Sequence, residues 1–213
     1  REIREAIARE AGSDYPVLLK YTALELPLFG RGIPLEDGVQ FAKLAEAIGF
    51  AAVTPVYADA LPNTSICRGD FPKLSFANPS LRRRLFGATG SRLRSAAVYA
   101  GMWLSARKHP FSPIWNREIF RAVKAAVAIP VFAVGGIRTP EEARDILACG
   151  DADKIGIGRP FYAEPQLAAR FLQPTATGQT TACENCNRCI VPQMLGMPGV
   201  CYNPAIHRIR RVA

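Results

Sequence analysis

No stretch of about 18 apolar residues occurs in the 213-residue chain, which excludes a membrane-crossing helix. No apolar segment follows a basic start either: REIREAIARE, at the N-terminus, reads as a charged amphipathic helix rather than a signal peptide. The first residue is Arg1 and not a methionine, so the chain reads as beginning in the middle of something, as a truncated gene would. Histidine is scarce. His109 precedes a proline in a loop and His207 lies in a basic tail, and both read as surface residues. Cysteine is present, six residues, but too unevenly spread for a secreted disulfide scaffold of this length. Four of the six crowd between Cys183 and Ala213, which points to a metal site or cluster in a reducing, cytoplasmic compartment. Cys149 reads as the core residue of an apolar helix, and Cys67 has no assignment.

What is present is a large apolar fraction, 49%, ample for one buried core, and a formal net charge of +9. The arginines fall in clusters: Arg82, Arg83 and Arg84; Arg92 and Arg94; Arg208, Arg210 and Arg211. Few aromatics interleave with them and no nucleic-acid motif accompanies them. They read as solvated faces and as attraction for an anionic cofactor or substrate, with no nucleic-acid partner expected.

Helical and strand patterns alternate. Ile3–Ala11 is helical with Gly12 as its stop, and YPVLLKYT (Tyr15–Thr22) is a short buried strand. Pro34–Gly49 repeats apolar positions Val39, Leu44, Ala47 and Ile48 at helical spacing, and FAAVTPV (Phe50–Val56) is the next strand. Asp59–Gly90 reads as a long excursion with helix towards Leu85, Arg92–Lys108 and Asn116–Ala128 as helices, and IPVFAVGG as a strand. Thr139, Pro140 and Glu142 form the start signal of another helix, as a capping box with proline at the first position. Asp153–Arg159 is the last strand, and Pro165–Leu172 the last core helix. This repetition predicts a parallel sheet with crossover helices. Four strand–helix units are half of the eight in a TIM barrel, so the expected fold is α/β, the C-terminal half of such a barrel with a Cys-rich tail. Residues 1–173 would be the partial barrel and 174–213 the tail. Open strand edges would make such a half poorly stable unless it pairs with itself or with missing sequence.

Two consecutive units end in glycine-bearing turns. Gly135 and Gly136, then Gly158, allow close backbone approach, and Arg159 adds a planar fork suited to phosphate. Ordinary strand-to-helix turns also need glycine, but two in succession, the second with arginine, point to a phosphate cup.

The segment IPVFAVGGIRTPEEARDILACGDADKIGIGRPFYAEPQLAARF resembles the last two units of the old yellow enzyme family. These are FMN-dependent NAD(P)H:flavin oxidoreductases and ene-reductases, the 2,4-dienoyl-CoA reductases among them. AREAGSDYPVLLKYT is similar to that family's fifth-strand unit and GIPLEDGVQFAKLAEAIGFAAVTP to its sixth, and the likeness weakens between Asp59 and His109. The resemblance implies that Gly135, Gly136, Gly158 and Arg159 hold the FMN phosphate. It also implies that Lys20, at the end of the fifth strand, lies against the flavin's N1–O2 edge, where a cation stabilises reduced flavin. A surface or barrel-core lysine is the plain alternative.

CENCNRCIVPQMLGMPGVCYNP places Cys183, Cys186, Cys189 and Cys201 as C-x2-C-x2-C-x11-C. Four thiolates so close suit an iron–sulfur cluster or zinc. The dienoyl-CoA reductase branch carries a four-iron cluster with one more residue between its second and third cysteines, followed by an Asn-Pro like Asn203-Pro204. A [4Fe-4S] cluster, zinc and free thiols all stay open. The family's tyrosine proton donor and substrate ligands come from strands one to four and cannot be located here, so no catalytic acid is named. The implied reaction is hydride transfer from NAD(P)H through FMN to an activated C=C bond of a small-molecule substrate. Homo-oligomerisation or a missing N-terminal half are the expected partners, with no membrane. Two other readings stand beside it: an inactive half-barrel that binds a phosphate ligand or a partner, and another FMN barrel such as a dihydrouridine synthase, against which the cysteine tail argues.

Overall fold

The computed structural model describes residues 1–27, 30–59 and 66–206. In chain order the elements are α1 (Glu2–Ala11), β1 (Leu18–Leu26), α2 (Leu35–Ile48), β2 (Ala52–Asp59), α3 (Lys73–Ala77), α4 (Pro79–Thr89) and α5 (Arg92–Lys108). They continue with α6 (Arg117–Lys124), β3 (Phe132–Val134), α7 (Pro140–Ala148), β4 (Lys154–Gly156), α8 (Arg159–Ala163), α9 (Leu167–Phe171) and α10 (Ile190–Met194). The chain divides into two compact units. The first is Arg1–Ala60 with Pro113–Ile137 and Glu141–Gly156; the second is Leu61–Ser112 with Arg138–Pro140 and Ile157–Ala213. Among the described residues, no helix is long and apolar enough to cross a membrane.

Among the described residues, the four strands all lie in the first unit. β1 pairs with β2 in parallel, β3 with β4 in parallel, and a parallel bridge between Val53 and Val131 links the two pairs. Strands therefore follow one another in chain order, each reached by a crossover, as in consecutive units of a TIM-barrel-like fold. The α/β class is as expected, and the fold is compatible with a partial barrel. Val53, Phe120, Val123, Val131 and Ile146 are fully buried and form the apolar centre of the unit.

Two features of this unit differ from the sequence pattern. The buried face of α2 is Gly38, Ala42 and Ala45, while Leu44 is 53% exposed and Ala47 is exposed. The reason is distance: the β1–β2 register slips between Thr22 and Leu24, leaving Ala23 as a bulge. A Cβ on Gly38 would lie 1.9 Å from the Ala23 carbonyl oxygen, so only small residues fit this face. The Tyr21 hydroxyl donates to the Gly38 carbonyl at 2.9 Å, and burial pushes its pKa up to about 12, keeping it a donor. The second difference is that β1 runs on to Leu26. Lys20 is its third residue, opposite Thr54 and exposed, rather than the strand's last.

Charge ties the two ends of α6 to α7 and to the approach to β4. Arg117 bonds Asp145 at 2.7 Å and Asp151 at 2.6 Å, and Lys124 pairs with Asp153 at 2.7 Å. Burial works against the Asp153 carboxylate, yet the Lys124 bond and the Val131 N–H hold its pKa below the ordinary value.

The second unit is helical, with a long cysteine-bearing loop. Its core joins Phe76, Leu85 and Met102 of α3, α4 and α5 to Cys189, Ile190 and Val191, with Cys67, Phe71 and Tyr162 packed against them. Asn78 caps α4 by accepting from Ser80 and Leu81 N–H at 3.0 and 3.1 Å, and Gly90, in the left-handed region, ends it. Among the described residues the excursion expected over Asp59–Gly90 thus contains the helices α3 and α4, and α8 and α10 were not foreseen. His109 does not lie on the surface: it is 6% exposed, at the C-terminus of α5, where its N–H reaches the Ser105 carbonyl. Cys149 is exposed, not a core residue: it follows the last turn of α7, with its thiol 3.6 Å from the Asp145 carboxylate. His207 and the cluster Arg208, Arg210 and Arg211 lie outside the described residues.

Candidate functional site

In the first unit, β3 delivers its chain directly into Gly135 and Gly136, with φ of 110° and 80°. Those angles alone favour glycine, and a Cβ on Gly135 would also meet the Trp115 ring at 2.8 Å and Asn116 at 2.9 Å. Part of the glycine requirement is therefore packing. The Gly136 carbonyl accepts from the Ile114 N–H. Among the described residues neither glycine's own N–H donates to a backbone acceptor, so both remain as donors on a half-buried turn. Beside the turn, Asn116 is fully buried; its amide donates to the Pro55 carbonyl at 2.9 Å, which leaves its Oδ1 without a partner among the described residues. Trp115 and Asn116 were missed in the sequence because nothing in a helix start marks them as neighbours of a distant turn.

In the second unit, Gly158 precedes α8, with open space around its α-carbon. Arg159 turns its guanidinium onto the cysteine loop, donating to the Asn187 side chain and, at 2.8 Å, to the Arg68 carbonyl. Asn187 in turn donates to the carbonyls of Cys67 and Asp70 at 2.8 and 3.1 Å. Asn185 and Asn187, on either side of Cys186, have φ of 55° and 54°, a conformation asparagine tolerates better than most residues. Asp70 N–H reaches the Asn185 carbonyl, and Gly69 leaves room for it: a Cβ there would lie 2.1 Å from that oxygen. Arg138 bonds the carbonyls of Thr181 and Cys183. Asn203 receives Arg188 at 3.0 Å and donates to Glu184 at 2.7 Å. Three arginines and three asparagines thus fix the loop from both sides.

Cys183, Cys186, Cys189 and Cys201 all line one cavity of about 20 Å³, shared with Arg159, Tyr162 and Asn203. The donor chemistry suits a soft metal, but that volume holds about one water molecule and not a four-iron cluster. Among the described residues no group of three or more His, Cys, Asp or Glu side chains is placed to hold a metal ion. Burial pushes the Cys189 thiol up to about 12 against the opposing charge of Arg159, so the thiol is protonated at neutral pH. Iodoacetamide at neutral pH should therefore modify exposed Cys149 first and Cys189 last, as read by peptide mass spectrometry. Equal rates would show that the loop is open in solution.

The fold is of mixed α/β class and compatible with a partial TIM-barrel-like fold. A family model for dihydrouridine synthase (Dus) matches residues 112–195. The chain is 26% identical over 214 residues to an NADH oxidase of Thermoanaerobacter brockii, covering 94% of this chain and 26% of that protein. It is 23% identical over 186 residues to a cinnamate reductase of Clostridium sporogenes, covering 81% of this chain and 22% of the reductase. A shorter match, 53% identical over 50 residues, is to tRNA-dihydrouridine synthase B of Vibrio cholerae, with 24% of this chain and 16% of the synthase covered. The chain thus spans about a quarter or less of the length of these relatives.

Proposed function

We propose that the chain is part of an FMN-dependent oxidoreductase of the NADH:flavin oxidoreductase or ene-reductase type. The observation that carries this reading is the end of β3, where a run of parallel strands leads into Gly135 and Gly136, whose two N–H groups have no backbone acceptor among the described residues. Such a turn suits phosphate oxygens. The similarity to an NADH oxidase along 94% of the chain supports the same class. Gly135, Gly136, Gly158 and Arg159 are assigned to the FMN phosphate and Lys20 to the flavin's N1–O2 edge. For Arg159 the backbone N–H is the contact assigned, since its side chain is engaged with Asn187 and Arg68. FMN, when bound, would supply hydride transfer from NAD(P)H to an activated C=C bond. The chain's own part is to anchor the phosphate and to place a cation beside the ring. Residues 1–173 would act as a partial barrel and 174–213 as the thiol-bearing segment; a [4Fe-4S] cluster or zinc at Cys183, Cys186, Cys189 and Cys201 would require the loop to open beyond the cavity of about 20 Å³ that the four thiols line here.

The test is anaerobic titration of the whole chain with FMN and with riboflavin. FMN is expected to bind at least roughly tenfold more tightly, the worth of charged hydrogen bonds to phosphate. Equal affinities would sink the phosphate assignment, while FMN binding without NADH oxidation would favour the inactive half-barrel. Iron with acid-labile sulfide in the purified protein would support the cluster; zinc would support the alternative. A second reading, a dihydrouridine synthase-like enzyme, draws on the match over residues 112–195 and is tested by dihydrouridine formation in tRNA.

A further inference from the structure

Between Phe71 and Ser112 the chain has eight lysines and arginines and no acidic residue, so this one segment carries nearly all of the net charge. It folds as α3, α4 and α5 of the second unit. The turn between α4 and α5 is held by Thr89, whose hydroxyl lies 2.7 Å from that of Ser95 and 3.0 Å from the Leu85 carbonyl. The three helices enclose an open groove of about 920 Å³, lined by Lys73, Arg82, Arg83 and Arg92 and by Phe76, Phe86 and Tyr99. That volume is the size of a small-ligand site, far larger than a lone inorganic anion needs. Among the described residues none of those four cations is in an ion pair. Two of the lining rings belong to an aromatic cluster: Phe76 is stacked on Phe71 at 5.3 Å, and Tyr99 meets Phe71 and Phe76 edge-on at 4.9 and 5.0 Å.

We propose that this groove binds a ligand of the nucleoside diphosphate class. Charge decides the anionic part. Four cations without an acid would be left mostly unneutralised by a single carboxylate, whereas a diphosphate matches them, and arginine's planar fork suits phosphate oxygens. Shape decides the rest. Half-exposed Phe86 and Tyr99 offer ring faces on which a base stacks. The proposal stands apart from the flavin reading, because its residues are other residues and its measurement is binding rather than turnover.

The experiment is isothermal titration of the whole chain with ADP, adenosine, inorganic phosphate and decanoate. ADP is expected to bind at least about tenfold more tightly than the other three. Arg82→Ala with Arg92→Ala should weaken ADP by about tenfold or more, and Phe86→Ala by several-fold, as expected for lost phosphate contacts and lost stacking. Arg84→Ala with Arg94→Ala removes the same charge outside the groove and should leave the affinity within about twofold. Equal weakening by both pairs would show attraction to a general positive field and overturn the site. Failure of ADP to bind would overturn it too, as would phosphate or decanoate binding as well as ADP. ADP bound more tightly than NAD⁺ would assign a free nucleotide, and the reverse order the ADP part of a dinucleotide.

Discussion

Gly38→Ala is expected to destabilise the protein by more than about 3 kcal/mol, and to leave little folded material if stability is ordinary for this size. In an exposed helix the same change gains up to about 1 kcal/mol, because alanine has the higher helix propensity. Here the added carbon would lie 1.9 Å from the Ala23 carbonyl oxygen, 2.6 Å from its carbon and 2.7 Å from its α-carbon. All three are backbone atoms of a buried residue, so no side chain can swing aside. Either α2 lifts from β1 or the bulge at Ala23 is undone, and both lose the Tyr21–Gly38 hydrogen bond. Gly87 in α4 is the control, since a Cβ there meets nothing within 4 Å. Gly87→Ala should therefore be neutral or stabilising. Urea denaturation of both variants tests the pair, and a Gly38→Ala protein as stable as the parent would show that α2 does not sit this close to the strand.

That contrast shows what the sequence could convey. The order of helices and strands was legible because apolar spacing repeats along α2 and α6, and because Gly12, Gly49 and Gly90 punctuate it. The buried face of α2 was not legible. Periodicity ranks positions by size and polarity, and so favoured Leu44 over Gly38; only the bulge at Ala23 makes small residues the buried ones. The exposure of Cys149 and the burial of His109 were hidden for a similar reason, since both lie at helix ends whose direction is set by tertiary packing.

The site shows the same division. Gly135, Gly136 and the four clustered cysteines announced themselves by residue type and spacing. The groups that hold them did not: Arg138, Gly69 and the asparagines on either side of Cys186 are common residues, and their roles depend on partners up to 120 positions away in the chain. Arg159 was legible as a functional arginine, but its bonds to Asn187 and Arg68 became visible only in three dimensions.

Asn187→Ala is the second large effect, with an expected loss of about 2–4 kcal/mol. The side chain is 2% exposed and joins three segments: it accepts from Arg159 and donates to the carbonyls of Cys67 and Asp70. Alanine would leave those two carbonyls and one arginine nitrogen without this partner. It would also hold a Cβ-bearing residue without a polar side chain at a φ of 54°, which adds roughly 1 kcal/mol. Asn187→Gly separates the two terms, since glycine accepts the backbone angle but restores no hydrogen bond. If the bonds dominate, the glycine variant should recover no more than about 1 kcal/mol of the loss. Thiol labelling supplies the local readout: in both variants Cys189 should become reactive well before global unfolding, because the loop from Cys183 to Cys189 loses its tie to Arg159 and to the Cys67–Asp70 turn. Full recovery in Asn187→Gly would mean that the left-handed turn, and not the bonding through Asn187, holds the four cysteines on their common cavity.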